Sequence, residues 1–188
     1  MTGLRTLLLA AAMVVAVIPA ARAYELFGTD TNPLDMGRPM VNPIPRTTVM
    51  VSAEYPTGTI LVNTAERRLY LMTGNGEAIR YGIGVGRDGF RWSGIHKISA
   101  MREWPDWTPP AQMLARRPDL PRHMKGGIDN PLGARAMYLG STLYRIHGSN
   151  EPETIGQAVS SGCIRMTNAD VIDLYNRVRV GTRVVVMR

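Results

Sequence analysis

The chain has 188 residues, and its 22 Lys and Arg against 15 Asp and Glu give a formal charge of +7 at pH 7. This length suits one compact domain with a tail. Because no run of Lys and Arg would follow a phosphate backbone, we expect no nucleic-acid partner, and the single cysteine excludes an internal disulfide.

The first 23 residues have the pattern of a secretory signal peptide. Arg5 precedes an apolar run from Leu7 to Ile18, and Ala-Arg-Ala ends at Ala23. The apolar run is shorter than the ~20 residues of a membrane-spanning helix, although an uncleaved anchor is the alternative. We therefore predict signal peptide 1–23, export to the periplasm or cell wall, and no stable membrane span after cleavage.

Residues 24–57 are predicted to form an extended, partly ordered arm, because prolines interrupt a polar sequence that shows little periodicity. From residue 58 the chain changes to short runs with the alternation of β-strands. These runs span 59–63, 67–72, 78–86, 95–99, 136–140, 143–147 and 182–187. Residues 58–188 are therefore expected to form one mainly β domain.

Two helices are predicted within this domain. Thr167 and Asp170 resemble a capping box that begins a helix, and Gly181 is expected to end it. Apolar residues at helical spacing give this helix one buried face: Val171, Leu174, Tyr175 and Val178. A shorter helix is expected at 111–116.

That shorter helix lies in a proline- and tryptophan-rich segment, residues 101–135. Long loops inside a compact domain are usually functional. We hypothesise that Trp104 and Trp107 belong to a lid that excludes water from a reaction site. The alternative is that the two tryptophans fill a small satellite core beneath the loop.

Glycine and histidine spacing argues against a cofactor. Gly84, Gly86 and Gly89 match the letters of a dinucleotide fingerprint, but the following residues predict no helix that would meet a pyrophosphate. The histidines at 96, 123 and 147 and the single cysteine lack zinc-site spacing. We therefore predict neither a metal nor a cofactor.

The cysteine and one histidine lie in two strand-like runs. In SGCIRM, residues 161–166, an extended conformation puts Cys163 and Arg165 on one face and the apolar residues on the other. In LYRIH, residues 143–147, His147 likewise faces away from the isoleucine before it. A strand-loop-strand return would bring His147 beside Cys163.

This pair suits nucleophilic catalysis, since a thiolate attacks carbonyl carbon and neighbouring imidazole and guanidinium groups are expected to lower the pKa of Cys163 below ~8.5. Gly162 would let a substrate carbonyl approach the N–H groups of an oxyanion hole. The Gly148 carbonyl is a candidate to orient His147. Arg165 suits a substrate carboxylate. A buried, inert cysteine is the alternative.

Two motifs carry a resemblance to a known family. HGSN at 147–150 and SGCIRM at 161–166 are similar to the motif of the L,D-transpeptidase catalytic domain of bacterial cell-wall enzymes. The similarity extends to GVGRDGFRWSGIHKI at 84–98 and NPLGARAMYLGST at 130–142. It covers roughly residues 58–188.

The resemblance implies that Cys163 is the nucleophile, His147 the base and Gly148 the carbonyl that orients it. Arg165 would contact a carboxylate of the donor. Further substrate contacts are expected from Ser161, Gly162 and Tyr144. Ser161 stands where many members have a second histidine, so this chain would work without that histidine.

The implied fold is a β-sandwich or barrel-like domain with one or two short helices and a long loop. The implied reaction is acyl transfer on peptidoglycan tetrapeptide stems through a cysteine thioester. It releases D-alanine and forms a 3→3 cross-link with a second stem, or attaches a protein through its amine. Two alternatives stay open: a hydrolytic member of the same family, and a non-catalytic exported module that binds peptidoglycan.

Overall fold

The structure is a computed structural model that describes residues 42–52 and 54–188. The signal peptide predicted for 1–23 and most of the predicted arm lie outside the described residues. In the part that is described, no helix is long and apolar enough to cross a membrane.

The described residues form eleven strands and two α-helices. The strands are β1 (Thr47–Met50), β2 (Ile60–Asn63), β3 (Arg68–Gly74), β4 (Glu77–Gly82), β5 (Val85–Gly86), β6 (Gly94–Glu103), β7 (Arg135–Leu139), β8 (Arg145–His147), β9 (Ala158–Ser160), β10 (Ile164–Arg165) and β11 (Arg183–Met187). The helices are α1 (Ala111–Arg116) and α2 (Asn168–Arg177), and a 3-10 turn spans Pro152–Thr154.

Nine strands form one sheet in the order β1-β4-β3-β2-β11-β6-β7-β8-β10, and β5 pairs with β9 separately. The long strand β6 joins two halves of the sheet: residues 94–97 pair with β11, and residues from Ile98 onward pair with β7. At the far end, Gly84 exchanges two backbone hydrogen bonds of 2.9 Å with Arg165 of β10. This bridge nearly closes the sheet into a barrel.

Both halves of the sheet bury their apolar side chains in one core. Ile60 and Leu69 come from the first half, Met137 and Ile164 from the second, and Leu174 from α2, and all five are almost completely buried. Each such side chain contributes about 1.5–3 kcal/mol when it leaves water. Ile146 of β8 and Ile164 of β10 belong to this core, so core packing stabilises the position of both short strands.

The mainly β class with short helices is confirmed. Helix α1 occupies the predicted residues, and α2 begins as predicted, because the Thr167 side chain accepts a 3.2 Å hydrogen bond from the Asp170 N–H. Helix α2 ends at Arg177, four residues before Gly181, which lies in the turn that precedes β11.

Three details differ from the sequence prediction. The end of the predicted arm forms β1, which pairs with β4. The predicted strand 78–86 is divided, because Gly84 leaves the β4 ladder to bridge Arg165. Strand β6 extends to residue 103, so the long segment is shorter than predicted and consists of residues 104–134.

Candidate active site

Strands β8 and β10 lie side by side and place the single cysteine and His147 on one face. They pair in parallel, with Ile164 opposite Ile146 and Arg165 opposite His147. Because both isoleucines face the core and side chains alternate along a strand, Cys163, Arg165 and His147 share the opposite face. The predicted face-sharing arrangement is therefore present.

His147 is 4% exposed, and its Nδ1 atom lies 2.6 Å from the carbonyl oxygen of Gly148. A carbonyl can only accept, so Nδ1 carries the proton and Nε2 keeps its lone pair. Burial, followed by the charges of Arg165 and Arg145, lowers the pKa of His147 to about 3. The imidazole is therefore neutral across the physiological range.

Asn168, the first residue of α2, holds the loop that carries Gly148. Its side-chain oxygen accepts hydrogen bonds from the N–H groups of Ala134 at 2.9 Å and Ser149 at 3.3 Å. A Cβ atom on Gly148 would lie 2.3 Å from this oxygen, so the close packing requires glycine. Asn168 was not predicted as a site residue, and its only signal in the sequence is its position directly after Thr167, the residue that caps α2.

Cys163 is partly exposed, and its Sγ atom lies 3.9 Å from the carbonyl oxygen of Leu143. Burial raises the pKa of this thiol, while Arg145 and Arg165 act in the opposite direction. The expectation that neighbouring cations would lower the thiol pKa is therefore wrong, because desolvation outweighs them. At rest, the Cys163 thiol and the His147 imidazole are therefore both neutral.

Two side chains that were not predicted from the sequence, Ser160 and Trp92, fix the turn before Cys163. Ser160 Oγ accepts from the Gly162 N–H at 3.1 Å and donates to the Cys163 carbonyl at 2.6 Å. Trp92 Nε1 donates to the Gly162 carbonyl at 2.7 Å. Since the Gly162 N–H is engaged by Ser160, it is removed from the set of candidate oxyanion donors.

Tyr144, Ser161 and Gly162 lie at this turn. Tyr144 stacks on Trp92, with ring centroids 4.4 Å apart and planes within 5°. Gly162 has φ +107°, and a Cβ atom there would lie 2.5 Å from Tyr144 Cε1. Ser161 is partly exposed beside it. Glycine at 162 is thus required both by its backbone conformation and by the approach of the tyrosine ring.

Arg165 does not stand alone on the shared face. Its Nη1 lies 3.0 Å from Glu151 Oε2, and the two side chains are 20% and 52% exposed. Glu151 follows His147 by four residues in the loop after β8. The sequence predicted Arg165 as a cation for a substrate carboxylate but did not reveal that Glu151 is its partner.

Segment 104–134 contacts the loop after His147 and the ring of Phe90, a residue that lies next to Gly162. Arg116 of α1 lies 5.4 Å from the ring centroid of Phe90, whose carbonyl would lie 3.3 Å from a Cβ on Gly162. On the other side, Asn150 Nδ2 donates to the Asp129 carbonyl at 3.0 Å. The segment therefore borders the loop after His147 directly and approaches the turn before Cys163 through Phe90.

A family model for the L,D-transpeptidase catalytic domain, named YkuD, matches residues 57–186. The chain belongs to the L,D-transpeptidase catalytic-domain family. The residues matched include both strands of the site and the whole core of the sheet.

Curated relatives carry the same family name. Probable L,D-transpeptidase YbiS of Escherichia coli is 40% identical over 134 residues, which cover 66% of this chain and 43% of that protein. Probable L,D-transpeptidase YcfS of the same species is 36% identical over 151 residues, covering 75% of this chain and 47% of that protein. The match thus spans under half the length of these relatives.

Two solved structures share the fold. An L,D-transpeptidase from Mycobacterium smegmatis is 15% identical with a TM-score of 0.56, covering 69% of this chain and 58% of that chain, which supports the fold alone. A Brucella melitensis structure, described as a probable carnitine operon oxidoreductase caia, is 43% identical with a TM-score of 0.52, covering 83% and 99%. That description belongs to the Brucella protein.

The glycine pattern at Gly84, Gly86 and Gly89 is followed by a strand. In this L,D-transpeptidase domain, Gly89 leads through a turn into β6 rather than into a nucleotide-binding helix.

Proposed function

We propose that this protein is an L,D-transpeptidase that acts on peptidoglycan tetrapeptide stems, with Cys163 as nucleophile and His147 as base. One observation carries the proposal: the single cysteine shares a face of two paired strands with a histidine whose Nδ1 is held by the Gly148 carbonyl. Family membership supplies the reaction class. The sulfur and imidazole groups supply the chemistry.

The first half-reaction forms a thioester. Since both groups are neutral at rest, Nε2 of His147 takes the thiol proton as Sγ of Cys163 attacks the carbonyl of the stem's diaminopimelate. Collapse of the tetrahedral intermediate breaks the bond to D-alanine, and the imidazolium returns the proton to the departing amine. The Gly148 carbonyl stabilises the imidazolium through its Nδ1–H contact.

The second half-reaction consumes the thioester. An acceptor amine attacks the acyl carbon and His147 takes a proton from it. The bond between the acyl carbon and sulfur then breaks, and the imidazolium returns the proton to the sulfur, which regenerates the Cys163 thiol. A diaminopimelate side-chain amine on another stem gives a 3→3 cross-link, and an amine of a protein gives a wall-attached protein. The thioester retains the energy of the original peptide bond, so no further energy source is needed.

The neighbouring residues would bind the donor. Arg165 presents a guanidinium on the face of Cys163 to a substrate carboxylate. Tyr144, Ser161 and Gly162 line the turn where the scissile carbonyl would lie. With the Gly162 N–H engaged, the Cys163 N–H is the candidate oxyanion donor.

We further propose that segment 104–134 is a lid over the thioester, since it contacts the loop after His147 and, through Phe90, the turn before Cys163. Backbone hydrogen bonds order the segment internally. The N–H and carbonyl groups of Trp107 and Met124 exchange two 2.8 Å hydrogen bonds, and the Trp104 N–H donates to the Ala134 carbonyl at 2.8 Å. A lid that excludes water would favour transfer to an amine over hydrolysis. The predicted domain borders and export belong to the same proposal: 1–23 signal peptide, 24–57 arm and 58–188 catalytic domain.

The deciding experiment incubates purified protein with disaccharide tetrapeptide, with and without a second stem as acceptor, and follows products and intact protein mass. We expect an adduct on Cys163, release of D-alanine, and dimers only when the acceptor is present. Tripeptide alone would favour the hydrolytic alternative. No adduct and no D-alanine, together with retained peptidoglycan binding in Cys163→Ala, would identify the non-catalytic module.

The cellular counterpart compares muropeptides from cells that carry wild type or Cys163→Ala. Loss of 3→3 dimers would name the cross-linking activity. Loss of a wall-bound protein with unchanged dimers would name protein attachment. Sequencing the N-terminus of the exported protein would test cleavage after Ala23.

A further inference from the structure

Glu151 and Arg165 form an ion pair at the edge of the proposed active site. Arg165 belongs to β10 and shares the face of Cys163, and Glu151 lies in the loop after β8, just before the 3-10 turn. The Nη1–Oε2 distance is 3.0 Å, and Glu151 is the more exposed partner at 52%. The charge presented to a substrate here is therefore that of a dipole, with a positive and a negative end.

The contact between Arg165 and Glu151 engages only part of the hydrogen-bonding capacity of each side chain. A guanidinium has five N–H donors in a fixed fork, and a carboxylate has two acceptor oxygens. The hydrogen bond between them joins one Nη atom of Arg165 to one Oε atom of Glu151. An ion pair with an exposed partner stabilises a protein by at most about 1 kcal/mol. A ligand can therefore bind to the free donors and acceptors of Arg165 and Glu151 with little loss of stabilisation from the pair.

A dipolar pair selects a different ligand from a lone arginine. An isolated Arg165 would favour any carboxylate. With Glu151 beside it, a second carboxylate meets repulsion as well as attraction, whereas an α-amino acid group places its carboxylate on Arg165 and its ammonium on Glu151. The four charges then alternate in sign, so each has an opposite charge as its nearest neighbour.

We propose that Glu151 and Arg165 form a subsite for a zwitterionic α-amino carboxylate. Resting on the proposed function, this subsite would hold the free amino-acid end of the diaminopimelate side chain in the donor stem. Glu151 is then a residue that determines donor specificity. A stem whose side-chain amine is already acylated by a cross-link lacks the ammonium group, so the enzyme would prefer stems that are not yet cross-linked through that amine.

The test compares three tetrapeptide donors: free diaminopimelate, the derivative acetylated on its side-chain amine, and the derivative with its side-chain carboxylate amidated. Acylation of Cys163 is measured by intact mass for wild type, Glu151→Gln and Glu153→Gln. Glu153 is a matched control, since it is an exposed carboxylate two residues along the same loop.

For wild type we expect the free donor to have the lowest KM. Glu151→Gln should raise KM for the free donor roughly fivefold, the equivalent of an exposed charge pair, with kcat little changed. It should also remove the discrimination against the acetylated donor while keeping that against the amidated donor, which depends on Arg165. Glu153→Gln should behave as wild type.

Two results would overturn the inference and leave the proposed function intact. One is undiminished discrimination against the acetylated donor in Glu151→Gln. The other is a lower KM for the free donor in that variant, which would make Glu151 a competitor of the substrate carboxylate. Failure of the proposed function itself would show earlier and differently, as wild type that acquires no adduct from any donor.

Discussion

The indole of Trp92 lies flat against the ring of Tyr144, with 4.4 Å between centroids, while its Nε1 donates to the carbonyl oxygen of Gly162 at 2.7 Å. One side chain thus connects the strand that leads to His147 with the turn that precedes Cys163. The stack adds about 0.5–1.5 kcal/mol beyond the area it buries. The relative position of sulfur and imidazole therefore depends on a tryptophan outside both strands.

Trp92→Phe should separate the stack from the hydrogen bond. The phenyl ring keeps an aromatic neighbour for Tyr144 but leaves the buried Gly162 carbonyl without its indole donor, which costs about 1–3 kcal/mol. We expect thermal unfolding at lower temperature and roughly a tenfold lower rate constant for acylation of Cys163. Tyr144→Phe, which keeps the ring, should preserve the folding stability. Equal acylation rates for Trp92→Phe and wild type would show that the turn holds its shape without the indole.

Gly162→Ala should be far more damaging than Gly89→Ala. Both glycines have positive φ, +107° and +81°, so both alanine variants carry backbone strain of about 1–2 kcal/mol. A Cβ at 162 would also lie 2.5 Å from Tyr144 Cε1, whereas a Cβ at 89 meets nothing within 4 Å. Urea unfolding of both variants measures the difference, and acylation should be lost only in Gly162→Ala. Equal loss of stability would assign the whole effect to backbone strain.

His147 should make the fold less stable in acid. Its pKa is about 3 in the folded protein and near ~6.5 when unfolded, so the unfolded state binds more protons between these values. Stability should therefore fall as the pH drops below about 6.5, by up to about 1.4 kcal/mol per pH unit for this group. Urea midpoints from pH 7 to pH 4 measure the trend for wild type and His147→Asn, whose amide can replace Nδ1 toward Gly148.

The difference in urea midpoint between wild type and His147→Asn is the informative quantity, because other groups also titrate between pH 7 and pH 4. Burial raises the pKa of Asp170, and acidification relieves that cost, which opposes the histidine effect. Both proteins contain Asp170, so subtracting their curves isolates His147. Parallel curves for the two proteins would mean that the imidazole is not held neutral by the fold.

The Cys163 thiol should ionise above the usual range of a free cysteine, ~8.5, because burial raises its pKa. With one cysteine in the chain, the rate of iodoacetamide alkylation against pH reports this group alone. Arg145→Gln should move the midpoint higher, since the Arg145 charge lowers the thiol pKa. Arg183→Gln, which removes an exposed cation on β11, should leave it unchanged. A midpoint below that of free cysteine would indicate a resting thiolate and imidazolium.

The local parts of this site were readable from the sequence. Alternation in the two motifs put Cys163, Arg165 and His147 on one face, and capping placed the start of α2. What could not be read were the contacts between residues distant in sequence. Trp92 and Gly162 are 70 positions apart, and Asn168 bonds to Ala134 across 34. Neither contact produces a periodic pattern in the amino-acid sequence, so neither could be predicted from it.

The error about the thiol pKa has a related cause. The sequence shows which charges are near Cys163, but the extent of burial is set by the packing of the whole barrel-like sheet. Desolvation is the leading cause of the raised pKa, ahead of both arginines. The sequence therefore predicts which charged residues lie near Cys163, but it does not predict whether their effect on the thiol pKa exceeds that of desolvation.

The proposed lid, segment 104–134, should control the fate of the thioester. Trp104 and Trp107 are both partly exposed, and the Trp104 carbonyl packs so closely on Gly126 that a Cβ there would lie 1.8 Å away. Replacing both tryptophans with alanine should loosen the segment while leaving Cys163 and His147 in place. We expect acylation within a few-fold of wild type but a higher ratio of hydrolysed tripeptide to cross-linked dimer, because water reaches the acyl carbon more easily. Product ratios from tetrapeptide with a fixed concentration of acceptor measure this. An unchanged ratio in a folded double variant would end the lid proposal and leave the tryptophans as a satellite core under the loop.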